Sequence, residues 1–443
     1  MPPATGFPDS WRERAVPPET SRRFLFLQGP LSPLYRRLGR RLAEEGHEVA
    51  RVNFCLGDWI HWHGRGTRSY RGRPEDWARN VGDLLDRLRI TDLVVHGDRR
   101  FYHRVAIEAA AMRGVRVIAT ELGYLRPGWM TIERGGYSVL SHFPDDPAAI
   151  RRIASDVGEI DLSPRYPGSF VLEAWQDVSY HLASLLGRPA YPFYRRHTPL
   201  HPLLDYGAWA LRLATRSARA RGAAKAQQRL LSADAPFFLV PLQIEGDYQL
   251  TAHSPFNTMA AALEVVLRSF AAHAPNEALL VVKSHPNDNG LGRWRRRLDE
   301  MALKQRIAGR VVFVDGGSLK DLARTAKGLV TVNSTAGLDA LMEDCPVKTL
   351  SPALYDMPGL THQGSLDDFW KASKKPDAAL LLDFRKAVAA TLLARGSIHN
   401  ADGLEAAVEA MSSRMLRGDL NEPGGYVDPP PRLARARAIG VPL

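Results

Sequence analysis

Several short stretches of this chain gather acids, bases and small residues densely enough to do chemistry. His96-Gly97-Asp98-Arg99-Arg100, with Tyr102 and His103 close behind, sets a carboxylate beside two guanidinium groups. Glycine permits a sharp turn there, and the arginines can hold or balance anions. Glu121-Leu122-Gly123-Tyr124-Leu125-Arg126-Pro127 supplies a second carboxylate with an aromatic ring and a cation, and Thr131 and Glu133 follow. Lys283-Ser284-His285-Pro286 crowds an ammonium, a hydroxyl and an imidazole ahead of a proline that pre-sets the backbone for a turn. An anionic phosphate fits such a group. Asn333-Ser334-Thr335-Ala336-Gly337 is small and polar, suited to capping a helix while its free N–H groups meet a phosphate or a nucleotide hydroxyl.

Each stretch also has a plainer reading. Asp98 would cap the next helix and pair with Arg99, and His103 would be a helix-surface histidine. The Lys283 segment would be a loop before a helix, Ser334 or Thr335 a simple cap, and Thr131 and Glu133 turn and surface groups. In Pro241-Leu-Gln243-Ile-Glu245-Gly-Asp247-Tyr-Gln249 an extended backbone would align Gln243, Glu245, Asp247 and Gln249 on one side. They would then bind sugar hydroxyls or merely edge a sheet.

The elements that must position these residues are read from short apolar runs. Arg23–Gln28, Glu48–Phe54, Thr91–His96 and Val115–Thr120 read as strands, separated by helices around Leu34–Leu42, Trp77–Leu88 and His103–Arg113. This β-α-β-α order predicts a parallel sheet covered on both faces. Alternation breaks near residue 145 and resumes with strands at Phe237–Leu242, Ala278–Lys283, Val311–Val314 and Gly328–Val332. The expected fold class is therefore α/β, with two Rossmann-like lobes and a ligand cleft facing their strand ends. The expected organisation is a flexible N-terminus (1–22), an N-terminal lobe (23–145), an inter-lobe helical section (146–232), a C-terminal nucleotide-binding lobe (233–385), and a tail, helical and then Pro-rich and loosely packed (386–443).

The 443 residues carry 59 basic and 48 acidic side chains, a net charge of +11, so the surface should attract anions. Arg212, Arg216 and Arg219 share a helical face in an acid-free stretch and read either as a solvated helix or as a basic surface for anionic lipid. Arg293 and Arg295–Arg297 around Trp294 carry the same two readings. Nucleic acid has no aromatic-glycine RNA motif or zinc spacing to support it. Cys55 and Cys345 lie in different halves, so neither a metal site nor a redox pair is expected. No Walker lysine and no G-x-G-x-x-G opens a lobe, which removes the usual support for ATP or NAD. The proline-rich start has no apolar run of a secretory kind, and nowhere do about 18 apolar residues follow one another.

Taken in order from about residue 23 to 372, these segments resemble the capsule polysaccharide biosynthesis and export family, particularly its KpsS/LipB-like members. The matching pieces are Gly97-Asp98-Arg99-Arg100 with Tyr102-His103, Glu121–Pro127 with Thr131 and Glu133, Pro241-Leu-Gln243 with Asp247, Lys283–Pro286 and Asn333–Gly337. Tyr355-Asp356-Met-Pro358-Gly359 and Leu366-Asp-Asp-Phe-Trp370 join them. The resemblance implies a GT-B-like β-Kdo transferase that takes CMP-Kdo as donor without cofactor or metal and transfers the sugar to a lipid acceptor, (lyso)phosphatidylglycerol or a Kdo-bearing glycolipid, with retention. It implies a cytoplasmic protein, peripheral on the inner face of the inner membrane, with other capsule assembly proteins as partners and no nucleic acid. By similarity Lys283, Ser284, His285, Pro286, Asn333, Ser334 and Thr335 bind the donor. Arg99, Arg100, His103, Tyr124, Arg126, Gln243 and Asp247 meet the sugar and its carboxylate. Glu121 and Asp98 form the catalytic pair, their individual roles open because distant relatives carry an acid where this chain has Leu122. The rival expectations are a non-catalytic export or scaffold protein and a nucleic-acid binder.

Overall fold

The computed structural model describes residues 21–196, 200–232 and 235–443. The strands in it are β1 (Arg23–Phe26), β2 (Glu48–Asn53), β3 (Thr67–Ser69), β4 (Asp92–His96), β5 (Arg116–Leu122), β6 (Trp129–Arg134), β7 (Phe237–Pro241), β8 (Leu279–Lys283), β9 (Val311–Val314), β10 (Gly328–Thr331), β11 (Val347–Thr349) and β12 (Leu393–Arg395). They form two sheets, and the described chain divides into two compact units around them.

The first unit comprises residues 21–137, 160–196 and 388–425. Its sheet runs β12-β6-β5-β4-β1-β2-β3, parallel from β5 to β3 and antiparallel where β6 joins β5 and β12 joins β6. Strands buried on both faces read as unbroken apolar runs, which is why Phe24 to Leu27 and Leu93 to Val95 are wholly buried. On one face Leu34, Leu38 and Leu42 of helix Leu34–Glu44 pack with Leu404, Val408, Met411 and Met415 of helix Ala401–Arg417. On the other, Trp77, Val81, Leu84 and Leu85 pack with Tyr102, Ala106 and Ala110.

The second unit comprises residues 138–159, 200–387 and 426–443, apart from 233–234. Its sheet is wholly parallel, in the order β11-β10-β7-β8-β9. Phe238, Val240, Leu280, Val282 and Val330 meet Leu263, Val266, Phe270, Leu298, Phe369 and Trp370 in its core. Phe369 and Trp370 lie buried in that core, and Asp367 accepts a hydrogen bond from Ser269, so the Leu366–Trp370 motif serves packing. The fold class is thus α/β with two Rossmann-like units.

Two boundaries differ from the sequence reading. The helices between 146 and 232 do not form a section of their own, since they divide between the two units. Helix Phe170–Leu186 sets Tyr180 and Ser184 against Gly57, where a Cβ would come within 2.5 Å of Ser184 Oγ. Helix Arg216–Ser232 instead packs through Ala223 and Leu230, and Gln227 Oε1 accepts from Ser318 N–H in the second unit. The expected loose tail is also absent. Residues 388–425 complete the first sheet, and 426–443 belong to the second unit, where Arg432 is wholly buried and donates to the carbonyls of Phe143, Pro144, Ala353 and Leu354. The expected flexible N-terminus falls, through residue 20, outside the described residues; Arg22 is anchored on buried Asp92. Among the described residues no helix is long and apolar enough to cross a membrane.

Candidate active site and donor site

In the first unit, strand register does the positioning. His96 ends β4 directly beside Thr120 of β5, and Glu121 follows opposite Thr131 of β6. Glu121 therefore sits inside a paired strand rather than on a free loop. Its Oε1 accepts the Leu122 N–H at 3.0 Å and lies 3.6 Å from His96 Nε2. The turn after β4 needs Gly97 at φ +75°, and a Cβ there would stand 3.6 Å from Glu121 Oε2 and 3.4 Å from Arg100 Nε.

Burial raises the Glu121 carboxyl above its ordinary range, helped by the charge of Asp98 and opposed by the Leu122 N–H, Arg100 and Arg126. Its side chain keeps 29% of its surface exposed, so the carboxylate is raised yet reachable. Asp98 is different. It is 1% exposed, and its Oδ2 accepts the Tyr137 N–H at 3.1 Å. It caps no helix either, because Arg100 holds the N-cap position of helix Phe101–Ala111. Of the two expected catalytic acids, only Glu121 is presented to solvent.

The expected sugar and carboxylate ligands divide in the same way. Arg99 and Arg100 are half-buried, and Arg126 is exposed with its Nε donating to Gly123 O at 3.0 Å. Tyr124 is half-buried and donates to Glu133 Oε1 at 2.9 Å. Glu133 is wholly buried on β6, as is Thr131, whose hydroxyl donates to Leu122 O. The surface reading of both is overturned, because β6 is an interior strand whose pairing is invisible locally. His103 is neither a surface histidine nor a ligand: it is wholly buried, and its Nδ1 donates to Gly97 O at 2.6 Å, holding the turn.

In the second unit, Lys283 ends β8 with its ammonium largely buried, and Nζ lies 3.5 Å from Ser284 O. Burial lowers its pKa, with Asp315 opposing. Ser284 donates to Asp315 Oδ1 at 3.0 Å. His285 Nδ1 accepts the Asn287 N–H at 3.0 Å, which leaves the proton of a neutral ring on Nε2 as a donor, and Pro286 is exposed beside it. Asp315, directly after β9, takes both arms of Arg212 at 2.9 and 3.0 Å and a further contact from Arg219. Burial pushes Asp315 up, but the Arg212 pair, Ser284 and Arg219 outweigh it and hold the carboxyl below its usual range. Arg212 and Arg219 are thus committed to Asp315, and the reading that gave them a shared face for lipid is corrected.

Gln243 and Asn333 are also turned inward. Gln243 Nε2 donates to Asn333 Oδ1 at 3.2 Å, and Asn333 Nδ2 donates to the carbonyls of Gln249 and His253. Both side chains stitch the β7 and β10 loops together instead of facing a ligand. The extended reading of 243–249 fails because Gly246, at φ +85°, turns the chain into helix Tyr248–Thr251, with exposed Asp247 as its N-cap. Ser334 caps helix Thr335–Leu341, accepting the Ala336 N–H, and Thr335 begins that helix half-buried. Tyr355 roofs Gly337, so close that a Cβ there would meet its hydroxyl at 2.2 Å.

Sequence reasoning missed His96, Thr120 and Asp315. Asp315 and His96 had the same signal as Lys283, a polar residue at or just past the end of a buried strand; Thr120 had none until the strands were paired. No group of three or more His, Cys, Asp or Glu among the described residues is placed to hold a metal ion.

Residues 91–399 match the family model described as capsule polysaccharide biosynthesis protein. The chain belongs to the capsule polysaccharide biosynthesis family. The family match opens at β4 and closes just past β12, so it takes in both carboxylates, the Lys283 segment and part of the supposed tail. Among curated members, the capsule polysaccharide export protein KpsS of Escherichia coli is 31% identical over 367 residues, covering 83% of this chain and 94% of that one. The capsule polysaccharide modification protein LipB of Neisseria meningitidis is 29% identical over 373 residues, covering 83% and 89%. Among solved structures, Thermosulfurimonas dismutans KpsC, a beta Kdo 2,7 transferase, aligns over 89% of this chain and 99% of that one at 18% identity and a TM-score of 0.44.

Proposed function

We propose that this family member is a glycosyltransferase that moves a β-Kdo residue from CMP-Kdo to a lipid acceptor, (lyso)phosphatidylglycerol or a Kdo-bearing glycolipid, with retention. The observation that carries the reading is Glu121: a raised, reachable carboxyl on a strand end, next to Arg100 and near Arg126. A retaining transfer needs a carboxyl able to attack or to exchange a proton, and a keto-sugar acid adds a carboxylate that the arginines can meet. Lys283 and His285 supply the cation and donor that a departing CMP phosphate requires. Release of CMP from CMP-Kdo in the presence of lysophosphatidylglycerol, with mass spectrometry of the product, tests the proposal. Wild-type protein that releases no CMP with any of the lipid acceptors would overturn it in favour of an export role, the role for which the Escherichia coli relative is named.

Lys283→Met is expected to raise the apparent KM for the donor about 10- to 100-fold, the scale of a lost hydrogen bond to a charged group. Fold stability at neutral pH should hold or rise. A lysine with a lowered pKa carries a charge that the folded state disfavours, and methionine removes it. Steady-state kinetics with thermal melts checks both halves.

The reading includes a peripheral position on an anionic membrane. In the second unit, helix Pro202–Ala214 exposes Leu203, Leu204 and Leu211, and the helix after it exposes Arg216, Arg221, Lys225 and Arg229 without an acid among its residues. Apolar side chains beside uncompensated cations suit an anionic bilayer surface. Charge reversal at Arg221, Lys225 and Arg229 should abolish co-sedimentation with phosphatidylglycerol vesicles while leaving the melting curve unchanged. Equal binding by the variant would remove this part of the proposal.

A further inference from the structure

The polar side chains behind Glu121 form one line into the first unit. Tyr35 Oη lies 2.8 Å from Thr120 Oγ1, and Thr120 Oγ1 lies 3.1 Å from His96 Nδ1. On its other side the His96 ring brings Nε2 to 3.6 Å from Glu121 Oε1. Tyr35, Thr120 and His96 are all buried, so the line has its wet end at Glu121 alone. The Tyr35 ring stands edge-on to the imidazole, perpendicular to it with the ring centroids 6.4 Å apart.

This geometry constrains where the histidine proton sits. An ionised carboxylate only accepts, so the nitrogen facing it must carry hydrogen, and Nδ1 must then accept from the Thr120 hydroxyl. Thr120 in turn accepts from Tyr35, and its single proton, which the Val95 carbonyl at 3.3 Å could also take, goes to the nearer His96 Nδ1 at 3.1 Å. The opposite tautomer would turn a bare Nε2 lone pair toward the Glu121 carboxylate. A 3.6 Å separation exceeds a formed hydrogen bond, but such contacts are often long in the absence of substrate and tighten when it binds.

We propose that His96 is a positioning residue which, as its neutral Nε2–H tautomer, claims Glu121 Oε1 together with the Leu122 N–H and so reserves Oε2 as the reacting oxygen. The inference rests on the reading of Glu121 as the reactive carboxyl. Two observations besides the line support it. Oε1 already has the Leu122 N–H at 3.0 Å, and Oε2 is the oxygen that faces Gly97, the residue without a side chain. The surroundings keep the ring uncharged: burial comes first, then the Arg100 cation, with the nearby His399 ring disfavouring a second charge beside it. Glu121 is the acid facing it from β5, Tyr35 faces it from helix Leu34–Glu44, and buried His103 and Arg100 approach from beyond the Gly97 turn.

The test pairs a spectroscopic readout with a kinetic one. In the protein labelled with nitrogen-15 in its histidine rings, the signals lost in His96→Gln identify His96. They should report a neutral Nε2–H tautomer at neutral pH, and Thr120→Val, which removes the hydroxyl that pins Nδ1, should convert it to a tautomer mixture. A charged ring, or an Nδ1–H tautomer in the wild type, overturns the proposal whether or not the protein is a transferase. In the CMP-release assay, His96→Phe should lower kcat about tenfold or more with KM unchanged. It should also move the acidic limb of the pH profile up by about one unit, because Glu121 loses a donor to its charged form. His96→Gln, whose amide keeps an N–H, should recover part of both. A fall in kcat with an unmoved limb would leave His96 only a structural role and refute the inference. Absent CMP release alongside the expected tautomer would sink the transferase reading while His96 keeps its place beside Glu121.

Discussion

Glu121→Gln is expected to cut CMP release from CMP-Kdo on the order of 10³-fold, the scale of losing a carboxyl that moves protons or attacks. At neutral pH the same variant should melt at the wild-type temperature or above it. Burial raises the folded-state pKa of Glu121 above that of the unfolded chain. The stability this gives is complete below the unfolded value and is lost as pH rises through the folded one. At neutral pH the fold therefore holds a carboxylate it disfavours, and glutamine relieves that while keeping the shape. Activity lost without stability lost is the signature of a reactive group. A variant that melts well below wild type, or that retains its activity, would assign Glu121 to structure instead.

The second large effect concerns stability. Arg432→Ala is expected to destabilise the second unit by about 3 kcal/mol or more, because it strips donors from buried carbonyls. For a unit of this size that is a fall in melting temperature of about 10 °C. Arg432 donates to the carbonyls of Phe143, Pro144, Ala353 and Leu354, and it is wholly buried. It thereby joins three stretches far apart in sequence. Differential scanning calorimetry of the full chain checks the shift, and an unchanged melting profile would mean that the C-terminal residues add little to the unit.

These two residues mark the limits of reading from sequence. Glu121 stood out because a carboxylate at the end of an apolar run is a strand-end signal, and that signal is local. Arg432 carried none, since an arginine in a proline-rich stretch reads as solvated until four carbonyls are found around it. Arg212 misled for the same reason: its partner Asp315 lies about a hundred residues along the chain, beyond any helical or strand period.

The sequence by itself determined the parallel, two-unit character of the protein, because strands covered on both faces must be written as continuous apolar runs between amphipathic helices. It also placed Lys283 and Glu121 at strand ends. Tertiary structure alone decided which of the two acids is presented, turning Asp98 inward to the Tyr137 N–H and leaving Glu121 reachable. It alone brought β12 back to β6 and set His96 beside Thr120 and Glu121. Strand pairing and burial are relations between distant residues, and no local pattern of side chains encodes them.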